Sequence, residues 1–359
     1  MRRRSVLAAV VIVGIIIFAL GTGMTYASEK KSKLLRYAAM SSPKGTRSTS
    51  VKWWASEIEK RTEGAITFKF FWSKALLKPK AALEGIGMGT ANIGAGWGIY
   101  HPGKTPLWTV GDVPFSHADA YVGLQVFREL FKTYDPLINE LKKYNVKLLA
   151  PFVTDMTQIG TNKKSRPIIV PDDSKGLKIR FAGGMWAKFW KACGAVPVKM
   201  TYGEVYEGLM RGTVDGAQGY VWTLEAYKLE DVIKNFTLIN AGEISSYGIV
   251  INLDDWNAFS PKLQKIITEV SDEFVEHYAE SLQVNNKRIK QASIDKGVKF
   301  FELNEQQKMA WFKTAEPFMT RWVDEKEAKG LPGKKTQDLF LKLVDKYQKQ
   351  IDTKGYPWK

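Results

Sequence analysis

The stretch from Pro171 to Trp222 limits the fold more tightly than any other part of the chain. Leu177-Lys178-Ile179-Arg180 reads as a buried strand that ends on a guanidinium and passes into a Gly183-Gly184 turn. Val214-Asp215-Gly216-Ala217 reads as a second strand followed by another polar loop. Between them lie a helix from Trp186 to Cys193 and a second helix from Gly203 to Arg211. The second is opened by a Thr201–Glu204 capping box and closed by Gly212. Strand, helix and strand in this order form a βαβ unit, and open sheets of that kind bind ligands in the crevice outside the carboxyl ends of their strands. Arg180 at one such end is a candidate contact, and Tyr202, in the first turn of the second helix, can point into the same cleft. The competing reading of Arg180 is a surface ion pair, since most arginines are exposed.

The alternation continues along the chain. Leu34–Ala39, Ile66–Phe70, Ala91–Ala95 and Val146–Phe152 read as strands. The first helix, from about Ser48 to Arg61, sets Val51, Trp54, Ala55 and Ile58 at i, i+3, i+4 and i+7. Helices are also predicted over Lys80–Met88, Ala118–Phe131, Pro136–Tyr144 and Leu224–Val232, and strands over Thr237–Asn240, Tyr247–Ile251 and Val298–Leu303. Ser260-Pro261 is a cap followed by proline at the first helical position. From it an apolar pattern continues to about Asp295, with a break at Asn285-Asn286 as the alternative. Asn304 and Gln307 cap one further helix, and Thr336–Ile351 forms the last. Alternating strands and helices of this kind make an α/β layer fold.

Met1-Arg2-Arg3-Arg4, the apolar run Val6–Leu20 and the small residues at Thr25-Tyr26-Ala27 have the form of a secretory signal peptide, residues 1–27. Its removal takes the net charge from +16 to +13. Lysine and arginine are spread along the chain among acids, and no nucleic-acid motif is present, so the charge is assigned to solubility and to drawing in anionic solutes. Cys193 is the single cysteine, which forbids an internal disulfide and leaves no lipid-attachment site near the cleavage point. His101, His117 and His277 are too scattered for a zinc set and are read as structural.

No nucleophile, base and orienter occur together, and there is no G-x-S-x-G, H-E-x-x-H or phosphate-cradling glycine loop. Asp172-Asp173 follow Pro171 in a turn and are read as solvated. Asp215 either shapes the Asp-Gly turn or ligates a solute amine. The chain is therefore read as a binder without cofactor or metal, not an enzyme.

Pro171-Asp172-Asp173-Ser174-Lys175-Gly176-Leu177-Lys178-Ile179-Arg180 and Glu204-Val205-Tyr206-x-x-Leu209-x-x-Gly212-x-x-Asp215-Gly216 carry a specific resemblance, supported by Asp112-Val113-Pro114-Phe115 and the leader. The chain resembles the solute-binding proteins of TRAP (tripartite ATP-independent periplasmic) transporters, the DctP-like family, over nearly all of its mature length. The resemblance implies a periplasmic-binding-protein-like fold, with two α/β lobes joined by crossing strands and a ligand cleft between them. The boundaries expected are 28–152 with 244–275 for lobe I and 153–243 with 276–359 for lobe II, a helix of about 261–295 spanning both. It also implies a periplasmic protein, monomeric, that captures an organic acid and hands it to a membrane permease. A binder of a non-carboxylate solute, or a sensor component, is the alternative.

Arg180 matches the family arginine that grips a substrate carboxylate, and a guanidinium does so through two parallel hydrogen bonds. Tyr202 matches a pocket aromatic. Many members carry Asn where Asp215-Gly216-Ala217-Gln218-Gly219 has its last glycine. That amide is missing, and Tyr220 or Trp222 is expected in its space, with Gln218 beside them. A second family arginine is also absent, and Gln158 of Thr157-Gln158-Ile159-Gly160, which resembles the 2-oxoacid-binding branch, stands in for it. That branch's Glu-Trp pair is missing, so its metal site is not carried over. Trp97, Trp186, Tyr202, Tyr220 and Trp222 favour an apolar monocarboxylate over a sugar acid.

Overall fold

The computed structural model describes residues 32–101, 103–181 and 185–359, so the signal-peptide assignment and the Gly183-Gly184 turn lie outside the described residues. The strands are β1 (Lys33–Ala38), β2 (Ile66–Phe71), β3 (Ile93–Trp97), β4 (Val146–Phe152), β5 (Gln158–Asn162) and β6 (Lys178–Phe181). They continue with β7 (Val196–Lys199), β8 (Gly216–Gly219), β9 (Ile233–Leu238), β10 (Tyr247–Asn252) and β11 (Lys299–Glu302). The helices are α1 (Thr46–Arg61), α2 (Ala82–Gly87), α3 (Ala120–Thr133), α4 (Asp135–Lys142), α5 (Trp186–Ala192) and α6 (Tyr202–Arg211). After them come α7 (Val221–Ala226), α8 (Leu253–Asn257), α9 (Pro261–Asp295), α10 (Glu305–Glu327) and α11 (Gly333–Lys354). No helix among the described residues is long and apolar enough to cross a membrane.

Two sheets form the α/β fold, one in the order β2-β1-β3-β10-β4 and one in the order β11-β9-β5-β8-β6-β7. Each contains one strand that runs against its neighbours, β10 in the first and β5 in the second. These are the strands reached when the chain crosses between sheets, from β4 to β5 and from β9 back to β10. The crossing segments hold each other. Thr154 N–H donates to the Ile244 carbonyl at 3.1 Å, Thr157 N–H to Gly242 at 2.7 Å and Ala241 N–H to Thr157 at 3.0 Å. Because β6 and β8 are parallel, their carboxyl ends at Phe181 and Gly219 open on one side.

The local signals explain most elements. Val51, Trp54, Ala55 and Ile58 of α1 are all buried, as their spacing requires. Glu204 accepts from both the backbone and the hydroxyl of Thr201, at 2.9 and 2.6 Å, and Gly212 at φ 74° closes α6. Asn304 and Gln307 cap α10 reciprocally at 2.9 and 3.0 Å. The long helix α9 is continuous over 35 residues, about 50 Å at 1.5 Å per residue. Asn285 and Asn286 do not break it: their amides donate to Thr46 Oγ1 at 2.7 Å and Asp155 Oδ2 at 2.8 Å. A polar pair there serves the seam between α9, α1 and the crossing segment.

Three readings move. β8 begins two residues later than Val214, α7 begins and ends earlier than Leu224–Val232, and β9 occupies Ile233–Leu238 instead of Thr237–Asn240. β7 has no counterpart in the sequence reading; it is a short edge strand carrying Pro197, a place where a missing N–H is tolerated. Asp173 is engaged more than expected, its carboxylate accepting from Ile169 and Val170 N–H at 2.9 Å each, whereas Asp172 is exposed. In the C-terminal part, Phe340 of α11 packs on Phe127 of α3 at 5.7 Å, and Trp311 of α10 on Phe189 of α5 at 6.1 Å.

Candidate functional site

Arg180 lies on β6, one strand in from the edge of the second sheet, flanked by Val198 of β7 and Ala217 of β8, and is 2% exposed. Its Nε donates to the Met200 carbonyl at 2.9 Å and its Nη1 to the Gln218 carbonyl at 3.1 Å. The guanidinium carbon stands 3.9 Å from the centre of the Tyr202 ring, within cation–π range. Among the described residues no carboxylate forms an ion pair with it. A buried cation held by carbonyls and a π face, with no ion-pair partner among the described residues, favours the arrival of an anion. The surface ion pair considered for Arg180 is thereby excluded.

Around it stands an aromatic group. Tyr202 stacks on Tyr227 at 4.9 Å and 16°, and Tyr220 on Trp222 at 5.6 Å and 12°. Tyr202 is also 6.4 Å from Tyr220 and 6.2 Å from Trp222. Burial pushes the Tyr202 phenol up to about 12 against the opposing pull of Arg180, so its hydroxyl stays neutral. Trp222 Nε1 donates to the Thr154 carbonyl at 3.0 Å, tying this group to the crossing segment.

The other expected contacts are placed differently. Asp215 lies at the opposite end of β8 from Gly219, and its carboxylate accepts the Lys178 N–H at 2.8 Å, so it joins β6 to β8 and is not brought to the aromatic group. Gln218 alternates to the other face of its strand, as period two demands, and its Oε1 accepts from Trp190 Nε1 at 2.9 Å. Only its carbonyl reaches Arg180. Gln158 sits opposite Gly219 in register, yet both ends of its amide close on Asn240, at 2.7 and 3.0 Å. Trp186 is 2% exposed and packs edge-on to Phe189 in the core. Trp97 ends β3 opposite Tyr247, and its side chain lies outside the described set.

Gly219 has a physical reason. A Cβ there would stand 2.9 Å from Thr223 Oγ1 and 3.4 Å from the Tyr202 hydroxyl. Thr223 Oγ1 in turn donates to the Tyr220 carbonyl at the start of α7. An asparagine at 219 and this Tyr202–Thr223 packing exclude each other.

A cavity of about 570 Å³ opens between the loop after β1, the start of α1, α7 and the middle of α9. Trp222 and Tyr227 line it; Tyr202 lies against both and Arg180 against Tyr202, and neither of these two lines it. Arg47, Tyr100 and Tyr278 line it as well. Arg47 and Tyr227 escaped the sequence reading; the one available signal was a serine- and glycine-rich loop, Ser41-Ser42-Pro43-Lys44-Gly45, at the carboxyl end of β1. Glu225 also lines the cavity, held by Arg288 through two contacts of 2.7 Å. No group of His, Cys, Asp or Glu among the described residues could hold a metal ion.

The crossing region behind the cavity concentrates buried titratable groups. Asp112 of the Asp-Val-Pro-Phe motif accepts from Ser245 and Ser246 N–H at 2.9 Å each and from the Ser246 hydroxyl. His117 meets Glu243 at 2.8 Å, both side chains fully buried. Burial drives the His117 imidazole down to about 4 and raises the Glu243 carboxyl, so burial works against the charged form of each partner. Asp155, at φ 86°, is pushed up to about 6, also by burial. His101 contacts the Pro79 carbonyl at 3.2 Å and His277 stacks on Trp53 at 4.0 Å, both structural roles. Cys193 is buried, its thiol pushed up to about 12 by burial.

The family model described as bacterial extracellular solute-binding protein, family 7, matches residues 37–326. The 2,3-diketo-L-gulonate-binding periplasmic protein of Escherichia coli is 26% identical over 76% of this chain and 80% of its own length. The C4-dicarboxylate-binding periplasmic protein of Rhodobacter capsulatus is 26% identical over 72% and 77%. A TRAP periplasmic solute-binding protein from Desulfovibrio salexigens superposes with a TM-score of 0.80 at 25% identity, covering 90% of this chain and 97% of that one. It was crystallised as an open complex with the C-terminus of a symmetry mate in its ligand-binding site.

Proposed function

The chain belongs to bacterial extracellular solute-binding protein family 7, the solute-binding proteins of TRAP transporters, and from that premise we propose that it captures an organic acid whose carboxylate is received by Arg180. The observation that carries this reading is the buried guanidinium without a carboxylate partner among the described residues. Its two bonds to carbonyls hold the plane of the group, and the remaining N–H groups suit the fork-to-fork geometry of a carboxylate. Tyr202, Tyr220 and Trp222 supply flat apolar faces, and Tyr202 must shift for a solute in the cavity to touch Arg180. The crossing segments are the natural pivot for that opening. The relatives bind a keto sugar acid and C4-dicarboxylates, and the structural neighbour holds a chain terminus, which ends in a carboxylate. Capture needs no bond chemistry; the protein works in the periplasm and presents the loaded form to the permease subunits.

The test is native mass spectrometry of protein purified without refolding, paired with a thermal-shift panel of organic acids and neutral solutes. An acid is expected as the co-purified mass. A stabilising acid at 100-fold above its Kd adds about 2.7 kcal/mol. Stabilisation by neutral solutes alone would overturn the reading.

The placement of Gln218 makes a separate prediction. Gln218→Met should leave the affinity for the captured acid within about twofold, because the carbonyl on Arg180 is kept. It should lower unfolding stability by about 1–3 kcal/mol, since Trp190 Nε1 loses its acceptor. A tenfold loss of affinity by calorimetry would mean that the side chain reaches the solute after all.

A further inference from the structure

An arginine other than Arg180 lines the cavity itself. Arg47, in the first turn of α1, lines the cavity with its guanidinium carbon 4.7 Å from the centre of the Tyr247 ring. The Tyr278 hydroxyl donates to the Val153 carbonyl at 2.8 Å, which leaves its oxygen to accept from Arg47. A ring face and a phenol oxygen thus set the guanidinium plane, much as Tyr202 and two carbonyls set that of Arg180. Tyr220 lies within the electrostatic reach of both arginines. The acid in the lining, Glu225, is already gripped two-pronged by Arg288.

Resting on the reading that Arg180 holds a carboxylate, we propose that Arg47 is a specificity-determining contact that receives a second anionic oxygen group of the solute. The solute is then a flat diacid, its body among Trp222, Tyr227 and Tyr100 of the lining. This departs from the monocarboxylate that the aromatic residues alone suggest. The aromatic faces account for the body of the ligand and are silent on its far end, where Arg47 stands.

Calorimetry with benzoate and isophthalate, which differ only in a second ring carboxylate, tests this on the wild-type protein, Arg47→Met, Arg47→Lys and Arg180→Met. The wild type should prefer isophthalate by about 10- to 100-fold, the range of one charge-assisted hydrogen-bonded contact. Arg47→Met should erase that preference while leaving benzoate within about threefold, and Arg47→Lys should restore part of it. Arg180→Met should lose both ligands. An equal loss of both ligands in Arg47→Met would make Arg47 structural and overturn the proposal, as would an unchanged preference. Failure of isophthalate to bind the wild type, while other acids do, overturns the diacid and leaves the Arg180 reading standing. Unchanged binding in Arg180→Met overturns that reading instead.

Discussion

Arg180→Met should abolish useful capture of the organic acid and yet leave the unliganded protein nearly as stable as before. Removing one partner of a buried charge pair costs about 3–5 kcal/mol, which corresponds to roughly 150- to 5,000-fold in affinity. In the empty protein the balance is different. The Met200 and Gln218 carbonyls lose their donors, but a buried guanidinium without a carboxylate partner among the described residues is removed as well. Methionine refills much of the volume beside Tyr202. The two effects oppose each other, so unfolding by urea should shift by no more than about 1–2 kcal/mol in either direction. Arg180→Lys retains charge without the planar fork and should still lose about tenfold or more. A large loss of affinity with a small change in stability is the mark of a residue kept for binding. Unchanged affinity in Arg180→Met would sink the carboxylate anchor, and a collapse of the empty fold would make the residue structural.

Asp112→Ala should be the most damaging polar substitution in the crossing region. It removes the acceptor of two backbone N–H groups and one hydroxyl, all in the segment that carries the chain back to the first sheet. The expected loss is about 3–5 kcal/mol in urea unfolding at pH 7.5. Asp112→Asn keeps the geometry, with its oxygen on the two N–H groups and its amide donating to the Ser246 hydroxyl, and should cost less than about 1 kcal/mol at that pH. Burial pushes the Asp112 carboxyl up to about 6, although Ser246, Ser245 and Lys326 pull it down. A raised folded value means that the fold binds the proton more tightly than the unfolded chain. The associated stability is therefore full below the ordinary carboxylate range, near 4, and is lost as pH rises through about 6. Asparagine cannot titrate, so the wild type should gain on Asp112→Asn by up to about 3 kcal/mol between pH 7.5 and pH 4. A pH-independent difference between the two proteins would contradict the buried, protonatable state.

Particular residues show how far the sequence could be read. The ends of α9 were legible because Ser260-Pro261 is a start signal independent of the rest of the chain, and the apolar pattern persists to its end. Its continuity was not, because Asn285-Asn286 looks the same in sequence whether it breaks a helix or bonds to Thr46 and Asp155. β7 was missed because four residues with a proline carry no period, and only pairing with β6 makes them a strand. For the site, the position of Arg180 at a strand end beside Tyr202 was legible from spacing. The fates of Gln158, Gln218 and Asp215 were not, since an amide or carboxylate next to a cleft in sequence can bond in several directions. Asn240, Trp190 and Lys178 took them instead. Arg47 was missed for the converse reason: it is far from the recognisable stretch and meets the cavity only when α1 packs against α9.

By itself the sequence determined the alternation of strands and helices, the caps that start and stop them, and the family to which Pro171–Trp222 belongs. Those properties are local, written within a few residues by periodicity, glycine and capping side chains. Tertiary structure alone decided which polar groups face the cavity. It set Gln218 away from Gly219 by strand register, left no room for an amide at Gly219 beside Tyr202 and Thr223, and brought Arg47 into one cavity lining with Trp222. Side-chain direction depends on pairing and packing partners far away along the chain, and no local pattern records where those partners come to rest.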